Sequence, residues 1–183
     1  PIYAWVLTQA SALGWIPGNV ISYVVVFAVF FALRLRLEAV LTVGASLLAD
    51  AAGFAIKGVV GRLRPVAGPV QVVAHLGGFS FPSGHVLEYT TLFGFAAYVV
   101  IVAWRHRWER NVVVGVLLLL IVLVGPSRVY LGEHYPTDVL GAYLLGGIWL
   151  AGTIELHLIL KRRLGPWWVP RWPRGSPTKK ATG

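Results

Sequence analysis

The apolar residues of this chain fall in long, nearly uninterrupted blocks separated by short polar punctuation. Tyr3 to Ile16 is apolar and ends at Pro17-Gly18-Asn19; Val20 to Leu33 is stopped by Arg34-Leu35-Arg36. Leu37 to Ile56 follows, with Glu38 near one end and Asp50 inside it. The stretch from Lys57 to Ser80 is punctuated by Gly and Pro and is too polar to span a membrane. Val86 to Trp104 is closed by the basic segment Arg105 to Arg110; Val112 to Gly125 leads into a polar loop over 126–135; Val139 to Leu160 ends at Lys161-Arg162-Arg163. None of the blocks alternates with period two, as barrel strands would, so they read as transmembrane helices. Several are shorter than the ~20 residues a perpendicular span needs. Trp15, Trp104, Trp108, Trp149 and Trp167 are expected to anchor them at headgroup level. The pattern predicts an all-α polytopic membrane bundle of about six helices over 1–164, the first of them incomplete, and a basic, Pro- and Trp-rich tail over 165–183.

Composition removes the alternatives. AVILMFWYC residues make up 57% and charged residues 13%, about half of the roughly 25% charged share usual in soluble domains. Too few charges remain to clothe a soluble enzyme, and too many apolar residues are present for a disordered chain. Mean hydropathy is +0.72. In a soluble protein a net charge of +9 would suggest a nucleic-acid partner; here basic loops beside apolar blocks report topology, and no nucleic acid is expected. Placing the Arg34/Arg36 loop, the Arg105–Arg110 loop and the tail on one side gathers twelve of the sixteen Lys and Arg residues there. The positive-inside rule makes that side cytoplasmic. Lys57, Arg62, Arg64 and Arg128 are left on the outer face, either as strays or as an anion site. With no cysteine there is no disulfide and no thiolate chemistry. A chain that starts at Pro1 and holds no methionine reads as a fragment or processed product.

Three outer segments carry candidate chemistry. Pro82-Ser83-Gly84-His85 lies directly before an apolar block. Pro suits a first helical turn, a helix N-terminus attracts phosphate, Gly84 permits close backbone approach and Ser83 offers a hydroxyl; a plain helix cap fits the same residues. Lys57 and Arg64 flank the end of the third block before Pro65, and Arg128 lies on a separate segment. An Arg fork matches phosphate oxygens and Lys supplies a point charge; snorkelling at a helix end is the competing account. His134 and Asp138 form a candidate reactive pair, in which a carboxylate on one ring nitrogen frees the other to attack. Asp138 equally suits a helix cap. His85, His134 and Asp138 also have the composition of a two-His, one-carboxylate metal triad. The neighbouring cations disfavour a divalent ion and favour bare phosphate, so no metal and no cofactor is expected.

These segments resemble the tripartite signature of the type 2 phosphatidic acid phosphatase superfamily: Lys57 with Arg64-Pro65, Pro82 to His85, and Ser127-Arg128 with His134 and Asp138. The likeness covers 57–138. It implies a six-helix membrane core with its site at the outer face, and it assigns roles. His134 attacks phosphorus and forms a phosphohistidine, Asp138 orients it, and His85 protonates the leaving oxygen. Lys57, Arg64, Ser83, the Gly84 N–H and Arg128 stabilise the phosphoryl charge, with no metal needed. The soluble vanadium haloperoxidases share the signature, but this chain is too apolar to be one of them.

The expected function is therefore hydrolysis of a lipid phosphate or diphosphate in a plasma membrane, with the site facing out and the tail at the cytoplasmic headgroups. Polyprenyl diphosphate (undecaprenyl diphosphate in bacteria), phosphatidate and phosphatidylglycerol phosphate are the substrates considered. A lipid phosphotransferase on the same fold and a non-catalytic lipid-phosphate binder are the rivals. Asp50 is expected to have a buried partner, Glu88 to tune His85 or face a polar interior, and His75 to border the substrate entrance. Glu155 and His157 are expected to snorkel or pair structurally.

Overall fold

In a computed structural model, residues 2–65, 78–104, 106–165 and 168 are described. The expected His75, Trp167 and most of the 165–183 tail lie outside these residues. Among the described residues there is no strand. Six α-helices follow in order, α1 (Ile2–Ala10), α2 (Gly18–Ala32), α3 (Arg36–Val60), α4 (Gly84–Ala103), α5 (Arg107–Tyr130) and α6 (Pro136–Arg163), with a 3-10 turn at Ala12–Gly14.

Not every helix is a full crossing. α3, α4, α5 and α6 are long and apolar enough to span a membrane; α1 with its 3-10 turn forms a fifth candidate only when joined to α2, across a 64° bend. At nine residues and 1.5 Å per residue, α1 is about 14 Å long, too short to cross ~30 Å of hydrocarbon alone. The six crossings expected from the blocks thus appear as four, or five with the bent pair counted as one.

α4 is the axis of the bundle. Of its apolar stretch 78% is buried, against 22–28% for α3, α5 and α6, and it packs against all three. Val86, Leu87, Tyr89, Leu92 and Phe93 fill its core with Tyr23, Ala49, Val124, Val139 and Ala142. α6 comes close to α4 at Gly146, where an added Cβ would lie 2.8 Å from Thr90. Small residues at such crossings let helices pack tightly in lipid, where no hydrophobic force drives them together. Side chains such as Leu48, Phe54, Leu119, Leu144 and Ile148 point outward and are exposed, as lipid-facing residues must be.

α5 differs from its expected course. The sequence places a polar loop from Pro126, yet the helix continues through Pro126 to Tyr130. A mid-helix proline breaks the ladder unless freed backbone groups find other partners. Pro126 offers no N–H to the Val122 carbonyl, and beside it Tyr143 of α6 braces the backbone: its hydroxyl donates to the Ile121 carbonyl at 2.6 Å and accepts the Gly125 N–H at 3.2 Å. Gly125 leaves room for it, since a Cβ there would sit 2.6 Å from that oxygen. The helix therefore carries Ser127 and Arg128 on its last turn.

Several polar side chains inside the bundle are paired. Asp50 accepts the Tyr23 hydroxyl at 2.5 Å, which supplies its expected partner. At the end opposite the motif segments, His157 meets Glu38 at 3.0 Å and the Tyr98 hydroxyl at 3.1 Å, and Lys161 donates to the same Glu38 oxygen at 3.4 Å. Glu155 is exposed. Two of the tryptophans are not headgroup anchors. Trp149 lies mid-helix and donates its indole N–H to the Ala45 carbonyl at 2.8 Å, and Trp15 faces the motif residues described below.

Tyr143→Phe should destabilise the protein by about 1–3 kcal/mol, because it removes two hydrogen bonds between α5 and α6 in a low-dielectric interior. The drop in unfolding midpoint in detergent measures this.

Candidate active site

The helix ends that carry the three segments meet at one end of the bundle. α3 runs past Lys57 and stops at Gly61, which turns the chain with φ +61°, its N–H bonded to the Lys57 carbonyl at 3.0 Å. Lys57 thus stands on the last turn, with Arg62 and Arg64 on the segment that leaves it. Ser80 fixes that segment: its N–H and hydroxyl donate to the Arg62 carbonyl at 2.7 and 3.2 Å. α4 begins at Gly84 with Ser83 as its N-cap, so Pro82 precedes the helix and does not occupy its first turn. α5 ends just past Arg128, and α6 begins at Pro136, two residues after His134.

Each expected residue can be placed. The Lys57 ammonium donates to the Pro82 carbonyl and, at 3.4 Å each, to those of Phe79 and Ser80. Arg64 donates to the Glu133 carbonyl at 3.0 Å. Ser83, Arg128 and Asp138 are fully buried, and His134 nearly so. The Ser83 side chain makes no cap hydrogen bond, so the plain-cap account of this residue does not hold. A Cβ on Gly84 would meet nothing within 4 Å, which leaves its backbone approachable. His85 packs edge-on against Trp15 with ring centroids 5.1 Å apart. The Arg128 guanidinium lies over the same indole at 5.3 Å.

Asp138 caps a helix and lies beside His134. One oxygen accepts the Tyr135 N–H at 2.9 Å, capping α6. That same oxygen is 3.6 Å from His134 Nδ1. The other oxygen accepts from Arg62 at 2.8 Å.

Several buried polar atoms have no hydrogen-bond partner within the protein: Ser83 Oγ, His85 Nε2, His134 Nδ1, and nitrogens of Arg64 and Arg128. They come from four separate segments and belong to one electrostatic neighbourhood. Burial holds His134 far below the ordinary imidazole range, near 2, and the charges of Arg64, Lys57 and Arg128 push in the same direction. His85 lies in the field of the same three cations. Three cations and several unpaired donors around two imidazoles suit a multiply charged oxyanion. The two histidines and Asp138 are not assembled as a metal-ligand set among the described residues.

Three residues beyond the expected set belong to this site. Arg62, read from the sequence only as an outer-face cation, donates to Asp138 and to the Thr137 hydroxyl at 2.7 Å, and stacks on Tyr135 at 4.3 Å. Glu133 is buried and ion-paired with Arg128. Its position beside His134 was the only available signal, because a single carboxylate among apolar neighbours does not reveal its partner. Trp15 is a third, contributed by the segment before α2.

A model of the PAP2 superfamily matches residues 37–162. The chain is 38% identical over 95 residues to phosphatidylglycerophosphatase B of Bacillus subtilis (strain 168), covering 50% of this chain and 44% of that protein. It is 35% identical over 101 residues to a putative undecaprenyl-diphosphatase of Escherichia coli (strain K12), covering 51% and 45%. The chain spans about half the length of these curated relatives. Its fold is similar to the crystal structure of a transmembrane PAP2 type phosphatidylglycerolphosphate phosphatase from Bacillus subtilis, with a TM-score of 0.76 and 28% identity over 88% of this chain and 80% of that one.

Asp138→Ala removes the acceptor of both Arg62 and the Tyr135 N–H and strands buried donors. It should cost about 3 kcal/mol of stability. Arg62→Gln, at a half-exposed position, should cost about 1 kcal/mol or less. Denaturation of both variants in detergent gives the comparison.

Proposed function

The chain belongs to the PAP2 superfamily, and on that premise we propose that it is a membrane hydrolase that removes phosphate from a lipid phosphate through a phosphohistidine. The observation that carries this reading is the gathering of unpaired buried atoms from Arg64, Ser83, His85, Arg128 and His134 at one end of the bundle.

The proposed course follows from the positions of the groups. Lys57, Arg64, Arg128, the Ser83 hydroxyl and the Gly84 N–H hold the phosphoryl oxygens. His134 Nδ1 faces Asp138, so the Nδ1–H tautomer is favoured and Nε2 carries the lone pair. That lone pair forms the N–P bond while the ester P–O bond breaks, and His85 gives its proton to the departing oxygen. The trigonal-bipyramidal charge is met by the fixed cations, which need no rearrangement as it develops. Water then attacks phosphorus with His85 taking its proton; the N–P bond breaks, and orthophosphate and free His134 result. The 3.6 Å from Asp138 to His134 is looser than a hydrogen bond, as is common before substrate tightens a site. None of these steps calls for a metal. We assign the site end to the outer face of a plasma membrane, supported by the basic residues at the opposite helix ends, among them Arg34, Arg36, Lys161, Arg162 and Arg163.

Purified protein in detergent with excess EDTA should release phosphate from phosphatidate, phosphatidylglycerol phosphate or a polyprenyl diphosphate. His134→Ala should lose at least about 10³-fold and His85→Ala about 10²–10⁴-fold. Turnover surviving in His134→Ala, or abolished by EDTA, overturns the mechanism.

The depressed basicity of His134 gives a second expectation. A free imidazole becomes half protonated near its reference value of about 6.5, whereas this one stays neutral as pH falls toward about 2. Labelled-histidine NMR of the substrate-free protein should find His134 unprotonated at about pH 5. Arg64→Gln, which removes one repelling charge, should move its titration upward.

A further inference from the structure

His134 has a carboxylate beside it, but the other reactive imidazole is placed by different means. His85 lies on the first turn of α4, and its Nε2 has no hydrogen-bond partner among the described residues. What it touches is the segment between α1 and α2. An added Cβ on Gly14 would overlap His85 Cδ2 and lie 2.9 Å from both Cγ and Nε2. The backbone of the 3-10 turn therefore runs directly along one edge of the imidazole. Trp15, the next residue, packs edge-on against the same ring at 5.1 Å and carries the Arg128 guanidinium over its indole at 5.3 Å.

Glycine at position 14 answers to that ring and not to the turn. The described residues with a positive φ are Arg34, Gly61, Gly78 and Gly132. Gly14 is not among them, so its backbone angles do not call for glycine. The turn is fixed independently of the ring. The Gly14 N–H donates to the Ser11 carbonyl at 3.1 Å and the Trp15 N–H to the Ala12 carbonyl at 3.3 Å. Tyr89, one helical turn beyond His85 on the same face of α4, donates its hydroxyl to the Ala10 carbonyl at 2.8 Å. Ser127 of α5 donates to the Leu7 carbonyl at 2.6 Å. A wall held from both α4 and α5 dictates where a ring resting on it points, because the ring sits at the end of rotatable bonds and is the part that yields.

We propose that Gly14 is a positioning residue for the proton donor: by leaving its Cβ space to the imidazole, it seats His85 where its proton can reach the departing ester oxygen. The inference rests on the hydrolase reading above. In that reaction the N–P bond forms as the ester P–O bond breaks, and the proton moves from His85 to the leaving oxygen. An alkoxide leaves poorly without that proton, whereas a nitrophenolate leaves well without it. A displaced His85 therefore slows alkyl phosphates selectively, and a misplacement of about 1 Å can cost about 10²-fold.

The test compares kcat/KM for phosphatidate with that for para-nitrophenyl phosphate on the full chain in detergent, since kcat/KM covers only the steps up to departure of the alcohol or phenol. Gly14→Ala should lower the phosphatidate value by about 10-fold or more and leave the aryl value within about 3-fold. On a His85→Ala background the same substitution should add nothing, because both changes then act through one side chain. Labelled-histidine NMR of the substrate-free protein should show the His85 signals moved by Gly14→Ala and those of His134 in place. Tyr89→Phe, which releases the turn from α4, should give the same selective loss on a smaller scale and serves if Gly14→Ala fails to fold. The proposal is overturned if Gly14→Ala, or Tyr89→Phe in its place, slows both substrates in proportion or slows neither. It is equally overturned if the effect adds fully to that of His85→Ala, or if the His85 signals stay where they were. Absence of turnover on both substrates, or turnover surviving in His134→Ala, defeats the hydrolase reading and this proposal with it.

Discussion

The buried Asp138 is the point at which the segment leaving α3 and the starts of α4 and α6 meet. Its side chain receives Arg62 from the segment leaving α3 and the Tyr135 N–H at the head of α6, and it faces His134. Its backbone carbonyl accepts the Ser83 N–H at 3.2 Å, at the start of α4. A fully buried anion is tolerable only when paired and hydrogen-bonded, so its two oxygens constrain the segment leaving α3 and the head of α6, while its backbone carbonyl holds the start of α4. His134 lies against this arrangement.

The bilayer imposes the rest of the architecture. Polar side chains brace the backbone inside the bundle, as the Tyr143 hydroxyl does for α5 one residue before Pro126. At the far end, Glu38, His157, Tyr98 and Lys161 satisfy one another. The helix buried on all sides, α4, is the one whose N-terminus holds Ser83, Gly84 and His85. The anion-attracting end of a helix dipole is thus supported by the best-packed element of the fold.

At the site itself, burial and charge act in the same direction. Desolvation keeps His134 neutral and nearby cations reinforce this, so the imidazole is held as a base among groups that attract anions. That combination suits attack on a phosphoryl centre, where the nucleophile must be uncharged and its surroundings positive. Two carboxylates flank these groups: Asp138 faces His134, and Glu133 pairs with Arg128.

The sequence by itself determined the helices, the membrane setting and the three segments, because apolar block length and motif spacing are local properties. Lys57, Arg64, Ser83, Gly84, His85, Arg128, His134 and Asp138 were all legible in this way. The part played by Arg62 was not, since its partner lies 76 residues away in the chain and the segment that carries it is held by Ser80. Neither was the continuation of α5 through Pro126, which a hydroxyl from another helix braces. Trp15 and Trp149 read as interfacial anchors because tryptophan in an apolar block usually is one; their actual partners, His85 with Arg128 and the Ala45 carbonyl, come from helix packing. Local pattern marks most of the helical segments and the residues that are candidates for chemistry. Only tertiary structure decides which buried charge meets which, because that pairing is settled by the joint requirement that every polar group leaving water find a partner.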